Sequence, residues 1–107
     1  MDALNDALAN VGPISVSIDA SPDSFYYYSG GWYTGLSSDG TQECKNTVDD
    51  LDHTVLAVGY KLGPDGKLYS IVKNSWSTYW GDEGFVYILQ EGNVCGVATN
   101  PTYALLA

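Results

Sequence analysis

The 107 residues predict a single α+β domain made mainly of antiparallel strands, with one stub of helix at its start. Three observations carry this. Segments in which apolar and polar residues alternate with period two recur along the chain, and "GPISVSIDA" is the clearest of them. Two β-branched, apolar runs are joined by "GPDG", which is strong turn chemistry for an antiparallel hairpin. Hydrophobic residues at 45 % against charged ones at 16 %, with 12 Gly and 9 Tyr, describe a turn-rich chain able to bury a core and exclude a disordered acidic tail.

The opening "MDALNDALANVG" places Leu4, Ala7, Leu8 and Val11 on one helical face without a cap before it, as if it were the remainder of a longer helix. In "GPISVSIDA", Ile14, Val16 and Ile18 alternate with Ser15, Ser17 and Asp19, which predicts a half-buried strand. The stretch "SPDSFYYYSGGWYTGLSSDGTQEC" is dense in Gly, Ser and Asp, and its Tyr and Trp content predicts a long loop that packs down in parts. "HTVLAVGYKL" and "KLYSIVKNS" follow as the hairpin pair around Gly63 to Gly66. A turn centred between Pro64 and Asp65 sets His53 across from Trp76, with Asn74 as its diagonal neighbour on the same face. A slip of one residue puts them on opposite faces. "GFVYILQEG" predicts a further strand, and "CGVATNPTYALLA" a final extended one interrupted by Pro101.

Thirteen acidic residues against four basic ones give a formal charge of −9, which repels a phosphate backbone and argues against nucleic acid as a partner. No apolar run has the length of a bilayer span, so no membrane partner is expected. Cys44 and Cys95 are too few and too far apart for a zinc site of the CxxC kind. They suit a disulfide, which on the chain-entropy model contributes roughly 4 kcal/mol and favours an oxidising compartment. Two buried reduced thiols are the alternative. No Asn-x-Ser/Thr sequon with x other than Pro is present.

His53 is the only histidine and heads an apolar strand directly after Asp52. A lone histidine is more often structural than catalytic, but its neighbours here change the balance. A general base needs one tautomer, held by an acceptor on the ring nitrogen that is not doing the work, and the Asn74 side-chain carbonyl is such an acceptor. A hydrogen bond of that kind is weak in water and needs an apolar cover. Within "NSWSTYW", Trp76 is placed to cover it and Trp80 to wall the space beyond, although two core anchors near a turn would look the same. No serine sits in a GxSxG elbow, so a nucleophile is missing. Asp49, Asp50 and Asp52 match no calcium loop and read as a solvated charged face.

In order along the chain, "GPISVSIDA", "LDHTVLAVGY", "VKNSWSTYWGDEGFVYI" and "CGVATNPTYA" resemble the C-terminal half of a papain-like cysteine protease of the cathepsin L-like group. The resemblance runs from about Ala3 to Tyr103. It implies the β-barrel-like right-hand domain of that fold over residues 1–107, facing an N-terminal helical half that carries the nucleophilic Cys and is not represented here. By the same resemblance His53 is the catalytic histidine, Asn74 its orienting partner, Trp76 the shielding residue and Trp80 the lining of the leaving-group side. It implies substrate contact by the Asp52 backbone carbonyl, a pocket bordered by Ser17, Leu51, Thr54 and Asn100, and a disulfide between Cys44 and Cys95. The implied partners are a peptide or protein substrate, the missing half, and propeptide or cystatin-type inhibitors, in a lysosomal, endosomal or secreted setting. Neither metal nor organic cofactor is implied.

Two departures stand out. Ser77 replaces the Gly usual after the shielding Trp, and Asn100 is more polar than the small residue common at the pocket floor. The function expected is hydrolysis of peptide bonds by a Cys-His-Asn mechanism to which this chain contributes His and Asn, without activity of its own. Two other classes of function compete. One is a non-catalytic peptide-binding or interaction domain derived from a protease; intact His53, Asn74 and Trp76 weigh against it. The other is a sugar-binding module built on Tyr26 to Tyr28 and Trp32, aromatics that loop packing explains without a ligand.

Overall fold

The segment that alternates most cleanly is also the most deeply buried strand. In the computed structural model, which describes residues 2–102, β1 (Ile14–Ile18) turns Ile14, Val16 and Ile18 inward to essentially complete burial, with Ser15 and Ser17 on the opposite face. It pairs antiparallel with β3 (His53–Leu62), Val16 opposite Val55 and Ile18 opposite His53. β3 pairs antiparallel with β4 (Leu68–Lys73), and β4 with β5 (Phe85–Leu89). A two-residue strand, β2 (Trp32–Tyr33), adds to β5 in parallel, giving the order β1-β3-β4-β5-β2. The long aromatic stretch thus contributes a strand that its loop-like composition hides. It also contributes a short helix, α2 (Asp23–Tyr26), whose Phe25 is fully buried.

The β3–β4 hairpin holds the fold's most consequential irregularity. Near the turn Leu62 pairs with Leu68 and Gly59 with Ile71, a register centred on Asp65 rather than between Pro64 and Asp65. One residue further Ala57 pairs with Val72 and Leu56 with Lys73, so Val58 is an extra residue on β3, a bulge. The bulge restores at the far end the register that the sequence predicts there, and Asn74 comes opposite Val55, diagonal to His53. At the turn itself Gly63 has no room for a side chain, since a Cβ would stand 2.6 Å from the Tyr69 ring. Asp65 accepts hydrogen bonds from the Lys67 amide and the Tyr69 hydroxyl, and these hold its carboxyl below the ordinary aspartate range.

The inner face of the sheet is closed by Val16, Ile18, Val55, Ala57, Val72, Val86 and Ile88, each worth about 1–3 kcal/mol of burial. Helix α1 (Asp2–Asn10) covers this face with Leu4 and Leu8, whereas Val11, expected on the same stripe, follows the helix and is exposed. Asn5 of α1 is buried as well. Its side-chain amide exchanges hydrogen bonds of 3.0 and 2.8 Å with that of Gln90, which also donates to Ser70 Oγ at 3.2 Å.

The C-terminal segment corrects the expectation of an extended strand. Residues Glu91–Gly96 form a kinked 3-10 turn in which Gly92, Asn93, Val94 and Cys95 leave helical geometry. The cause is a tether: Cys95 is bonded to Cys44, and its carbonyl accepts the Asp19 amide at 3.0 Å, so the chain folds back here rather than running on. Among the described residues of this segment only Thr102 joins the sheet, through a bridge to Ser15. The rest of the expected strand, residues 103–107, lies outside the described residues.

Candidate active site

At the open end of the β3–β4 pair, His53 Nε2 lies 2.8 Å from Asn74 Oδ1. The same oxygen accepts the Ser75 backbone amide at 2.7 Å. A backbone N–H only donates, so the amide of Asn74 is fixed with its oxygen toward the ring. His53 must then donate from Nε2, which leaves Nδ1 as the basic nitrogen of the neutral ring. Asn74 is buried, and its Nδ2 has no hydrogen-bond partner among the described residues.

Trp76 stacks on the imidazole at 5.0 Å between centroids and 26° between planes. Its other contacts run into the core, edge-on to Phe25 at 5.6 Å and to Trp80 at 5.4 Å. Trp80 is the more buried of the two, and its indole N–H is shared between the carbonyls of Phe25 and Tyr26 at 3.1 and 3.0 Å. Trp80 is therefore a core anchor that also lends one edge to an open hollow of about 540 Å³, walled further by Tyr26, Trp76 and Tyr79. Both tryptophans thus pack into the core, and Trp76 in addition stacks on the imidazole.

Asp52 is exposed, yet its side chain is engaged. Its Oδ1 accepts the Ala20 amide at 2.8 Å and its own amide reaches the Ile18 carbonyl at 3.0 Å, clamping the end of β1 beside His53. The acidic group is thus not wholly a solvated face: Asp50 and Thr47 close the neighbouring 3-10 turn through their side chains. Ser17 and Thr54 are direct cross-strand partners on the outer face, and Leu51 packs against Gly96. Asn100 is exposed on the segment that the Ser15–Thr102 bridge carries along β1. An open groove of about 420 Å³ on that outer face reaches from Ser15 and Thr54 to Lys73 and Asn74.

Cys44 and Cys95 form a disulfide, and both are buried. One supporting residue escapes a reading for chemistry. Asp19 is 2 % exposed; it receives the Ser21 amide and hydroxyl at 3.0 and 2.6 Å and the Lys45 amide at 2.8 Å. It thereby knits the end of β1 to the loop that carries Cys44. The Asp-Ala-Ser stretch is the signature of an Asx turn, and that was the available signal. The aromatics behind a sugar-binding module are dispersed: Trp32 packs on Tyr69 and Tyr87, Tyr28 on Tyr33 and Trp80, and Tyr26 on Trp76. Among the described residues no cluster of three or more His, Cys, Asp or Glu is disposed to hold a metal, and no helix is long and apolar enough to cross a membrane.

The model of the papain family cysteine proteases matches residues 1–105. A cathepsin L-like peptidase of Aedes aegypti is 47 % identical over 106 residues, covering 98 % of this chain and 29 % of that protein. Among solved structures, digestive procathepsin L 3 from the larval midgut of Tenebrio molitor superposes with a TM-score of 0.81 at 37 % identity, over 98 % of this chain and 32 % of that one. The bromelain protease of Ananas comosus, in complex with the E64 inhibitor, gives 0.74 at 32 % identity, over 96 % of this chain and 46 % of that one. The chain spans less than a third of the cathepsin L-like peptidase it matches. With a histidine, an asparagine and a covering tryptophan assembled at one end of a mostly antiparallel sheet, and with these likenesses along nearly its whole length, the chain belongs to the papain family of cysteine proteases, in its cathepsin L-like group.

Proposed function

We propose that this chain is the base-supplying half of a papain-family cysteine endopeptidase. The observation that carries the proposal is the hydrogen bond from His53 Nε2 to an Asn74 oxygen whose orientation is itself pinned, under the stacked Trp76 ring. Both cysteines of the chain are bonded to each other, so the thiol nucleophile belongs to another segment of the complete protein. In the reaction His53 Nδ1 pairs with that thiolate. The thiolate attacks the peptide carbonyl, the C–N bond breaks, and the proton on Nδ1 passes to the leaving amine. Water then attacks the thioester while Nδ1 takes its proton, and the thiolate departs.

Asn74 holds the ring so that Nδ1 faces the reacting atoms through both steps, and Trp76 keeps water from competing for that hydrogen bond. The outer groove beside Thr54 and Lys73 is the wall offered to the half that bears the thiol, and Asn74 Nδ2 is buried next to it. Ser17, Leu51, Asp52, Thr54 and Asn100 border the acyl side of the substrate. Peptides or proteins are the substrates, propeptide or cystatin-type chains the inhibitors, and a lysosomal, endosomal or secreted location suits the disulfide. No metal or organic cofactor enters the reaction.

In the complete enzyme, His53→Ala is expected to lower kcat/KM for a peptide by at least about 10³, because both proton transfers fail. Asn74→Ala is expected to cost about 10², since the base remains but is poorly aimed. Steady-state hydrolysis of a fluorogenic peptide reads both. An Asn74→Ala loss as deep as that of His53→Ala contradicts the orienting role, and an active His53→Ala enzyme overturns the proposal. The chain by itself is expected to hydrolyse nothing in the same assay.

A further inference from the structure

We infer that Asn74 makes a second hydrogen bond in the complete protein, from its Nδ2 to an oxygen of the half that bears the thiol, so that docking of the two halves completes the aim of His53. The inference rests on the acyl-transfer reading above and adds to it a coupling between assembly and the base.

Asn74 is 6 % exposed, and its Nδ2 has no hydrogen-bond partner among the described residues. Its oxygen, in contrast, is fully engaged, accepting His53 Nε2 at 2.8 Å and the Ser75 amide at 2.7 Å. Turning the amide over would set Nδ2 against the Ser75 N–H, one donor facing another, so nitrogen and oxygen cannot exchange places. A buried N–H without an acceptor has given up water and gained nothing, which is why native proteins rarely keep one. An acceptor supplied by another segment removes that deficit.

The open groove of about 420 Å³ on the outer face is where such a segment fits, since Asn74 is one of its walls. The branch of Asn74 not turned to His53 and Ser75 is Nδ2. The other polar walls are Ser15, Thr54, Lys73 and Ser75, hydroxyls and an ammonium without a carboxylate, on a chain with thirteen acidic residues against four basic ones. Lys73 makes no ion pair among the described residues. This wall is complementary to a segment that presents oxygen acceptors. The occupant is the thiol-bearing half, because both cysteines of this chain are bonded to each other and the groove adjoins His53 through Thr54, where the thiol has to arrive. With Nδ2 anchored, the amide is held at both ends, and Oδ1 stays on the imidazole as the ring gains and loses its proton. Asn74 is then a positioning residue whose own position is set by the interface.

Two measurements on the complete enzyme test this. In a crystal structure, an oxygen of the thiol-bearing half is expected within about 3.2 Å of Asn74 Nδ2. Water or another residue of this chain in that place overturns the inference and leaves the catalytic reading standing. A thiol out of reach of His53 Nδ1 overturns the catalytic reading, and the inference falls with it. The second measurement is the pH profile of Asn74→Asp, which keeps an acceptor for His53 and puts an oxygen where the donor was. Its kcat at neutral pH is expected to be about tenfold below the parent, with KM within about twofold. A carboxyl pressed against another oxygen takes up a proton more readily than an ordinary aspartate and then donates again, so the ratio of variant to parent kcat is expected to rise as the pH falls. A ratio that does not change with pH, or full activity at neutral pH, overturns the role of Nδ2 in aiming the base.

Discussion

Ser77 has φ of +85°, a region that L-residues with a Cβ enter at a cost of about 1–2 kcal/mol. Its hydroxyl offsets part of this by accepting the Tyr79 amide. The two contributions can be separated. Ser77→Ala keeps the strain and loses the hydrogen bond, and is expected to destabilise the complete protein by about 1 kcal/mol. Ser77→Gly also loses the bond but relieves the strain, at some entropic cost in the unfolded chain, and is expected to stay within about 0.5 kcal/mol of the parent. Thermal unfolding of the two variants decides this, and equal losses would show that the backbone is not strained. At this scale the sequence was informative about chemistry: the Asn-Ser-Trp stretch announced an acceptor and its cover. It named the Asn74 carbonyl as that acceptor but not what holds the oxygen toward the ring, which is the Ser75 amide as placed by the turn.

At the scale of elements, the bulge at Val58 decides whether His53 and Asn74 meet. Near the turn the hairpin runs in one register and at the His53 end in another, and the extra residue converts between them. Deleting Val58 removes the extra residue and leaves Gly59 opposite Ile71 and Ala57 opposite Val72, so His53 and Asn74 are expected to stay paired and activity in the complete enzyme to remain within about tenfold of the parent. Persistence of the hydrogen-bonded imidazole N–H resonance in NMR spectra checks the structural part, and its loss would show that the deletion shifts the register after all. The link between α1 and β5 is a second element-scale device. Removing the Asn5 amide leaves Gln90 buried with one partner fewer, so Asn5→Ala is expected to cost about 1–3 kcal/mol. The double change Asn5→Leu with Gln90→Met takes away both partners and is expected to recover most of that loss, which chemical denaturation of all three variants measures.

For the whole molecule, the disulfide closes a loop of 51 residues that contains β3, β4, β5 and both His53 and Asn74. Replacing both cysteines by serine is expected to reduce stability by roughly 4 kcal/mol, read as the difference in unfolding free energy from the parent. The effect reaches the site through a short path. Cys95 receives the Asp19 amide, Asp19 takes the Lys45 amide next to Cys44, and Asp19 follows Ile18, the cross-strand partner of His53. The outer face of the sheet is held differently, with Lys61 over the rings of Trp32 and Tyr87 at 5.3 and 5.1 Å. That clamp gives the aromatics behind the sugar-binding alternative a structural employment.

The strands that alternate in the sequence are strands in the fold, because period-two burial is a local property that each strand displays by itself. His53 and Asn74 meet as the sequence suggests, but not through the turn, whose register is off by one residue; the bulge at Val58 makes up the difference. What the chain alone could not decide were features set by partners distant in sequence. The bulge leaves the alternation on either side intact and is visible only when β3 is counted against β4. The two residues of β2 become a strand because β5 offers its edge, not because Trp-Tyr alternates with anything. The C-terminal segment folds back where its apolar residues suggested extension, because Cys44 and Asp19 hold Cys95 from 51 and 76 positions away. Local pattern is determined by each residue's own preference for water or core; register, tethering and the aim of a side chain are determined by bonds that exist only once the whole sheet has closed.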